Sequence, residues 1–394
     1  MDIKIFPHVL RGTVTNLQSK SYAHRLLIAL ALAGNTNFEH IDLSSEDVLA
    51  TAKAASEFSK EVPRVYCNQS GTTLRMMLPI LAALKSKSYI TVTPQLANRP
   101  IEPLVTAISQ NGCSIKKDNL QITIEGKLQG GDFYLPGNIS SQFISGLLYA
   151  LPLCKADSCL YITTEIESKP YVHMTLNVLK DFGISICETK NNNLNGYTTF
   201  NIKGGQKYTT PKKINIETDW SNSAFWLTSN FIGNSVTVDN LNLSSLQGDK
   251  EILCILEKLK TNSEVKIDLR GIPDLLPALA VAAAYRSTCS ISRFVNIKRL
   301  RIKESDRVNS TKEMILNLGG DIAVTDDEIL IKSLGGLNGG IVNSYDDHRI
   351  AMAASIAATF AKKPVTILNA QAVNKSYPRF YEQYQRLGGK IVKL

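Results

Sequence analysis

The chain has no apolar run approaching the roughly 18–20 residues that cross a bilayer, so no membrane span is expected. Its first residues, MDIKIFPHVL, hold no basic stretch leading into an apolar core; this excludes a secretory leader and points to the cytoplasm. The seven cysteines are odd in number, and no C-x-x-C occurs. They read as reduced core thiols rather than disulfides. The five histidines show no ligand spacing to them, so no metal is expected. Aromatic residues make up only 7% and the basic residues form no single block, which argues against nucleic acid.

What remains is an ordinary globular composition, 44% apolar and 20% charged, and 394 residues, a length that suits two domains. Lys and Arg outnumber Asp and Glu by 44 to 35. With membrane and nucleic acid set aside, that excess fits small acidic substrates. One stretch concentrates the charge. From Lys298 to Val308, KRLRIKESDRV, seven of eleven residues are charged, between apolar segments on either side. Arg299, Arg301 and Lys303 alternate with Leu300 and Ile302, which reads as a strand handing over to a helix.

Four segments share one plan: AISQNGCSIKK, VLKDFGISICE, ILNLGGDIAVT and YQRLGGKIVKL. In each, a helix-like stretch ends at a glycine (Gly112, Gly183, Gly319, Gly388) and a strand-like alternation follows. Polar turns and second strands come next in KKDNLQITIEG, ETKNNNLNGYTTFNI and VTDDEILIKS. A spacing of about 70 residues is too long for a solenoid. It predicts an α/β fold of repeated βαβαββ units in two domains. One unit is abbreviated, since between Asp47 and Gln69 there is room for a helix and little else.

The predicted helix starts carry hydroxyls and cations together. Ser19, Lys20 and Arg25 open one; Ser70, Thr72, Thr73 and Arg75 another; Arg99 precedes Pro100. Ser140, Ser141 and Gln142, Ser168, Lys169 and Tyr171, Lys303 and Arg307, and His348 and Arg349 open four more. Hydroxyls are ordinary caps there, but cations oppose the helix dipole. Repetition at so many starts points to bound phosphate or carboxylate. Acids stand among these cations, with Asp274 in GIPDLLPALAVAAA, Glu304 beside Lys303, and Asp347 before His348. A pure anion site would avoid them. Proton transfer at an anionic substrate would use them, although capping and ion pairing explain them equally well.

On these motifs the chain resembles the 5-enolpyruvylshikimate-3-phosphate synthases of the enolpyruvyl transferase family. The shared motifs are SKSYAHR, SGTTLR, RPI, SSQF, SKPY, LQGD, IPD, KESDR, DHR and NKSYP, in family order from Ser19 to Pro378. The resemblance implies transfer of the enolpyruvyl group of phosphoenolpyruvate to the 5-hydroxyl of shikimate 3-phosphate. The reaction would run by addition–elimination through a tetrahedral intermediate, without cofactor or metal. It also implies a monomer of two inside-out α/β barrels closing on substrate, one from residues 1–18 plus 219–394 and the other from 19–218. By position, Ser21, Arg25, Ser140, Ser141, Gln142, Ser168, Tyr171, Asp274 and Lys303 correspond to shikimate 3-phosphate contacts. Lys20, Gly71, Thr72, Arg99, Gln142, Arg307, Arg349 and Lys375 correspond to phosphoenolpyruvate contacts. Asp274 resembles the base at the 5-hydroxyl, and Glu304 the acid that protonates the methylene, assisted by Lys303 and Lys20. Gln18 and Gln69 depart from the family's usual glycine and asparagine. The related transferases acting on UDP-N-acetylglucosamine would need a reactive loop cysteine, whereas Cys113 in NGCSI reads as core.

Overall fold

The computed structural model describes residues 1–15, 17–191 and 197–394; the predicted turn within KNNNLNGY falls largely on residues 192–196, outside them. The chain forms two compact units, Met1–Ser19 with Glu217–Leu394, and Lys20–Ile216. The two connecting segments meet in an isolated antiparallel bridge between Gln18 and Thr218. Ser19 N donates to Glu217 O (2.8 Å) and Asp219 N to Leu17 O (2.9 Å).

Four sheets share one strand order and one pattern of direction. In the second unit these run Arg64–Tyr66, Lys87–Thr91, Gln121–Gly126, Cys113–Asp118, and then Gly131–Leu135, Ser158–Ile162, Tyr197–Ile202, Ile186–Asn191. In the first unit they run Glu264–Asp268, Ile291–Val295, Glu328–Lys332, Asp321–Val324, and Gly340–Asn343, Val365–Leu368, Ile3–Phe6, Lys390–Lys393. Each time the first two strands are parallel and the remaining pairs antiparallel. A smaller parallel pair joins Arg11–Val14 to Ser235–Val238. Strands such as Glu264–Asp268 bury alternate residues, here Val265 and Ile267, so one face of the sheet meets the core. No strand lies between the helices Lys20–Leu32 and Glu46–Ser56, and the latter leads almost directly into Arg64–Tyr66.

Parallel neighbours need a crossover, and in each of the four sheets that crossover is a helix. Those joining the parallel pairs are Gly71–Leu84, Ser141–Ala150, Leu276–Ala284 and His348–Ala358. They are apolar nearly all round, and the last two are buried at every residue, so they form the interior of their units. A crossover helix begins where its strand ends at the carboxyl end, which is where ligands bind in α/β sheets. Helix exits follow the expected glycine chemistry: Gly183 and Gly319 have φ of +83° and +81°, which a side chain would resist.

Two expectations are corrected. Residues 298–302 are not a strand but a 3₁₀ turn, Lys298–Ile302, in which Leu300 is buried and Ile302 exposed. The strand has already ended at Val295, and Asn296, with φ of +62°, turns the chain away. Nor are all the cysteines core thiols. Cys67, Cys113 and Cys154 are buried, but Cys187, Cys254 and Cys289 are exposed; all seven are free.

The helices Gly71–Leu84 and Ser141–Ala150 approach unusually closely. Pro79 has no N–H for the carbonyl of Arg75 four residues back, and Gly146 packs onto that turn. A Cβ at Gly146 would lie 2.6 Å from Arg75 O. Gly146→Val is therefore expected to cost about 1–3 kcal/mol of stability in urea denaturation, as overpacking does. An unchanged midpoint would contradict this packing.

Candidate active site

In the first unit the predicted acids and cations meet around one guanidinium. Arg307 opens the helix Arg307–Asn317, whose N-cap, Asp306, accepts from Asn309 N at 3.1 Å. The Arg307 side chain is wholly buried and divides its donors among three carboxylates. Nε and Nη2 reach Asp347 (3.0 and 3.3 Å), Nη1 reaches Asp274 (2.7 Å), and Nη2 also reaches Glu304 (2.6 Å). Asp347 has a second task as N-cap of His348–Ala358, accepting from Arg349 N at 2.9 Å. Arg349 then turns its guanidinium to Asp274, its Nη2 donating to Oδ2 at 3.0 Å. Lys303 Nζ stands 3.7 Å from the other oxygen of that carboxylate. Lys375, in the same unit, is buried and donates to Asp346 O at 2.7 Å. Tyr345 and Asp346, both left-handed with φ of +53°, turn that carbonyl toward it.

These contacts set the protonation states. Burial alone would raise the carboxyl of Asp274, but Arg349, Lys303 and Arg307 outweigh it and hold the group well below the usual carboxylate range. Burial would weaken the charge of Arg307, yet Asp347, Glu304 and Asp274 raise its pKa above the ordinary value. Lys303 is pushed down to about 8, chiefly by burial, against the pull of Asp274. Asp249, in the LQGD motif, is pushed up to about 6 by burial and then by the charge of Asp274; Ser221 donates a hydrogen bond to it.

The second unit holds the remaining predicted residues in three groups. Lys20 opens the helix Lys20–Leu32 and pairs with Asp47 (3.0 Å). Gly71 and Thr72 open the helix Gly71–Leu84 beside Arg99, whose Nη1 would lie 2.7 Å from a Cβ on Gly71. Gln142 is fixed at both ends of its amide: Nε2 donates to Thr72 Oγ1 (2.8 Å), and Oε1 accepts from Arg75 Nη1 (2.9 Å). Ser140 caps this helix start, accepting from Gln142 N (3.3 Å), and Ser141 is its first residue. In the third group Arg25 is buried and donates to Thr175 Oγ1 (2.9 Å), Ser21 O (2.8 Å) and Tyr171 O (2.8 Å). Ser168, left-handed with φ of +55°, precedes the helix Lys169–Asp181.

The sequence reading had no role for Asp47 or Asp249, took Arg75 only as one of the helix-start cations, and left Asp347 open between proton transfer, capping and pairing. Asp347 and Arg75 carried a signal, lying in the helix-start motifs DHR and SGTTLR. Among the described residues no three His, Cys, Asp or Glu side chains group as metal ligands. Cys113 is buried, and burial raises its thiol to about 11, the opposite of a reactive cysteine.

A family model described as EPSP synthase (3-phosphoshikimate 1-carboxyvinyltransferase) matches residues 58–384. A 3-phosphoshikimate 1-carboxyvinyltransferase of Clostridium novyi is 37% identical, with 99% of this chain and 98% of that protein covered. One from Clostridium perfringens is 38% identical, with 98% of each covered. Among solved structures, an EPSP synthase from Acinetobacter baumannii has the same fold, with a TM-score of 0.78 over the whole of both chains at 23% identity.

The Lys303 ammonium gives the electrostatics a direct check. Its reaction with an amine-directed reagent, followed by mass spectrometry against pH, should show a midpoint near 8. Asp274 is the partner that raises this pKa, so Asp274→Asn should move the midpoint lower. A midpoint that stays or rises would contradict the arrangement.

Proposed function

The chain belongs to the EPSP synthase family, and from that premise we propose how its residues divide the reaction. The enzyme transfers the enolpyruvyl group of phosphoenolpyruvate to shikimate 3-phosphate in the shikimate pathway of aromatic amino-acid biosynthesis. The observation that carries our assignment of roles is the Asp274 carboxylate, gripped by Arg307 and Arg349 with Lys303 beside it.

Asp274 takes the proton of the 5-hydroxyl as that oxygen adds to phosphoenolpyruvate. In the unliganded protein it is a poor base, because its cations hold it acidic. Two of those cations, Arg307 and Arg349, are the ones we assign to phosphoenolpyruvate. A bound polyanion draws on their charge, so Asp274 gains basicity as the clamp fills. Glu304 protonates the methylene carbon. Lys303, with its lowered pKa, is suited to passing protons near neutrality. The Glu304 carboxylate then takes a proton back from the methyl carbon as the C–O bond to phosphate breaks and the double bond re-forms. Fixed cations, Lys20 and Lys375 among them, assist the departing phosphate.

Phosphoenolpyruvate further engages Arg99, Gln142 and the helix start at Gly71 and Thr72, where backbone N–H groups favour anions. Shikimate 3-phosphate is held by Ser21, Arg25, Ser140, Ser141, Gln142, Ser168 and Tyr171, with Asp274 and Lys303. Arg25 contributes chiefly as a strut, since three of its donors are committed to protein oxygens. We likewise read each unit as an inside-out α/β barrel of βαβαββ repeats, a reading supported by the common strand order and the buried crossover helices.

Phosphate release should occur with shikimate 3-phosphate as acceptor and not with UDP-N-acetylglucosamine; the reverse preference would overturn the acceptor assignment. Asp274→Ala and Glu304→Gln should each lower kcat by at least ~100-fold, as removal of an acid–base group does. Turnover near that of the wild type in either variant removes that residue from the mechanism. Arg349→Ala should mainly raise the KM for phosphoenolpyruvate, and an unchanged KM would count against the clamp.

A further inference from the structure

A buried polar chain runs beneath the helix starts of the second unit and has no part in the chemistry above. His24 lies one turn into Lys20–Leu32, Thr51 one turn beyond Asp47 in Glu46–Ser56, and Thr73 in the first turn of Gly71–Leu84. His24 Nδ1 meets Thr51 Oγ1 at 2.6 Å, Thr51 Oγ1 meets Thr73 Oγ1 at 2.6 Å, and Thr73 Oγ1 donates to Ser70 Oγ at 2.7 Å. All four side chains are buried. Polar groups in a core are costly unless satisfied, so a chain joining three helices calls for a reason.

The direction of the chain follows from its ends. The imidazole is neutral, because burial and then Lys20 and Arg25 lower its pKa well below the usual value. His24 Nε2 meets no partner among the described residues. A bare ring nitrogen is tolerated there more readily than an orphaned N–H, so the proton belongs on Nδ1 and points at Thr51. Thr51 then donates to Thr73 rather than to Asp47 O, which lies 3.5 Å away. Thr73 donates to Ser70, whose oxygen also accepts from Thr73 N (3.2 Å) and so caps the helix that opens with Gly71 and Thr72. One imidazole thereby orients every hydroxyl down to that cap. The same three helices present Lys20, Asp47 and the Gly71–Thr72 turn, one turn or less away.

We propose that His24, Thr51 and Thr73 are positioning residues for phosphoenolpyruvate binding, a relay that holds the Lys20–Asp47 pair and the Gly71 helix start in fixed relation. This rests on the assignment of Lys20, Gly71 and Thr72 to that substrate. The relay touches no reacting atom. Its loss should loosen the anion site and leave the proton-transfer groups of the other unit alone.

Thr51→Val keeps the shape and removes the hydroxyl; Thr51→Ser keeps the hydroxyl. Steady-state kinetics should show the KM for phosphoenolpyruvate raised about tenfold in Thr51→Val, the scale of one buried hydrogen bond. The kcat should stay within about twofold and the KM for shikimate 3-phosphate should be unchanged, a split that general destabilisation does not produce. Thr51→Ser should restore the wild-type KM. Thr73→Val, which cuts the next link, provides the same measurement should Thr51→Val fail to fold. An unaltered KM in the valine variant, or a serine variant as impaired as valine, overturns the relay. Lys20→Met measured alongside separates the two levels: if it leaves the KM for phosphoenolpyruvate unchanged, the assignment of the anion site has failed, whatever Thr51 shows.

Discussion

A guanidinium with no access to water cannot stand unpaired, and Arg307 is such a group. Its burial obliges carboxylates to converge, and they come from three separate stretches: Asp274 before one crossover helix, Asp347 at the cap of another, and Glu304 from the turn just upstream. Withdrawing one partner from a buried ion network is costly because the remaining charge has nowhere to go. The bonds that fix these backbones are therefore the bonds that aim Asp274, Glu304 and Arg349. In this unit, stability and site geometry rest on the same atoms.

The sheet plan supplies the segments that converge. Parallel pairing forces a helix between strands, and the crossover helices are too apolar to lie on a surface, so they pack inward and their starts gather within each unit. Helix starts bring donors and positive potential; the side chains at them add cations. The result would repel itself if acids were absent. Asp347, Asp47 and Asp274 relieve that repulsion, and their pairing explains why the charge is interleaved rather than uniformly basic.

Much of this was legible in the sequence because it is local. Glycine exits, alternating strands and the abbreviated segment after Asp47 are read within a dozen residues, and the helix-start motifs hold most of the residues we assign to the substrates. What escaped was set by distance along the chain or by a competing local form. Lys20 and Asp47 are 27 positions apart, and Arg75 finds Gln142 across 67, so neither pairing leaves a local pattern. Residues 298–302 alternate like a strand, yet Asn296 has already diverted the backbone and only Leu300 goes inward. The exposed cysteines sit on a strand (Cys187), a helix (Cys254) and a turn (Cys289) whose orientation no short window reveals.

The sheet that contains Ile3–Phe6 has a consequence in time. That strand lies between Val365–Leu368 and Lys390–Lys393, so it is synthesised before the whole inserted unit and both of its neighbours after it. The second unit, Lys20–Ile216, is contiguous and has all its partners once its own residues have emerged. Synthesis thus favours a nascent chain in which the inserted unit matures while a β segment whose Ile3 and Ile5 belong in the core waits unpaired for hundreds of residues. The brevity of that segment, four residues with Lys4 between its two isoleucines, limits what else it can pair with in the meantime.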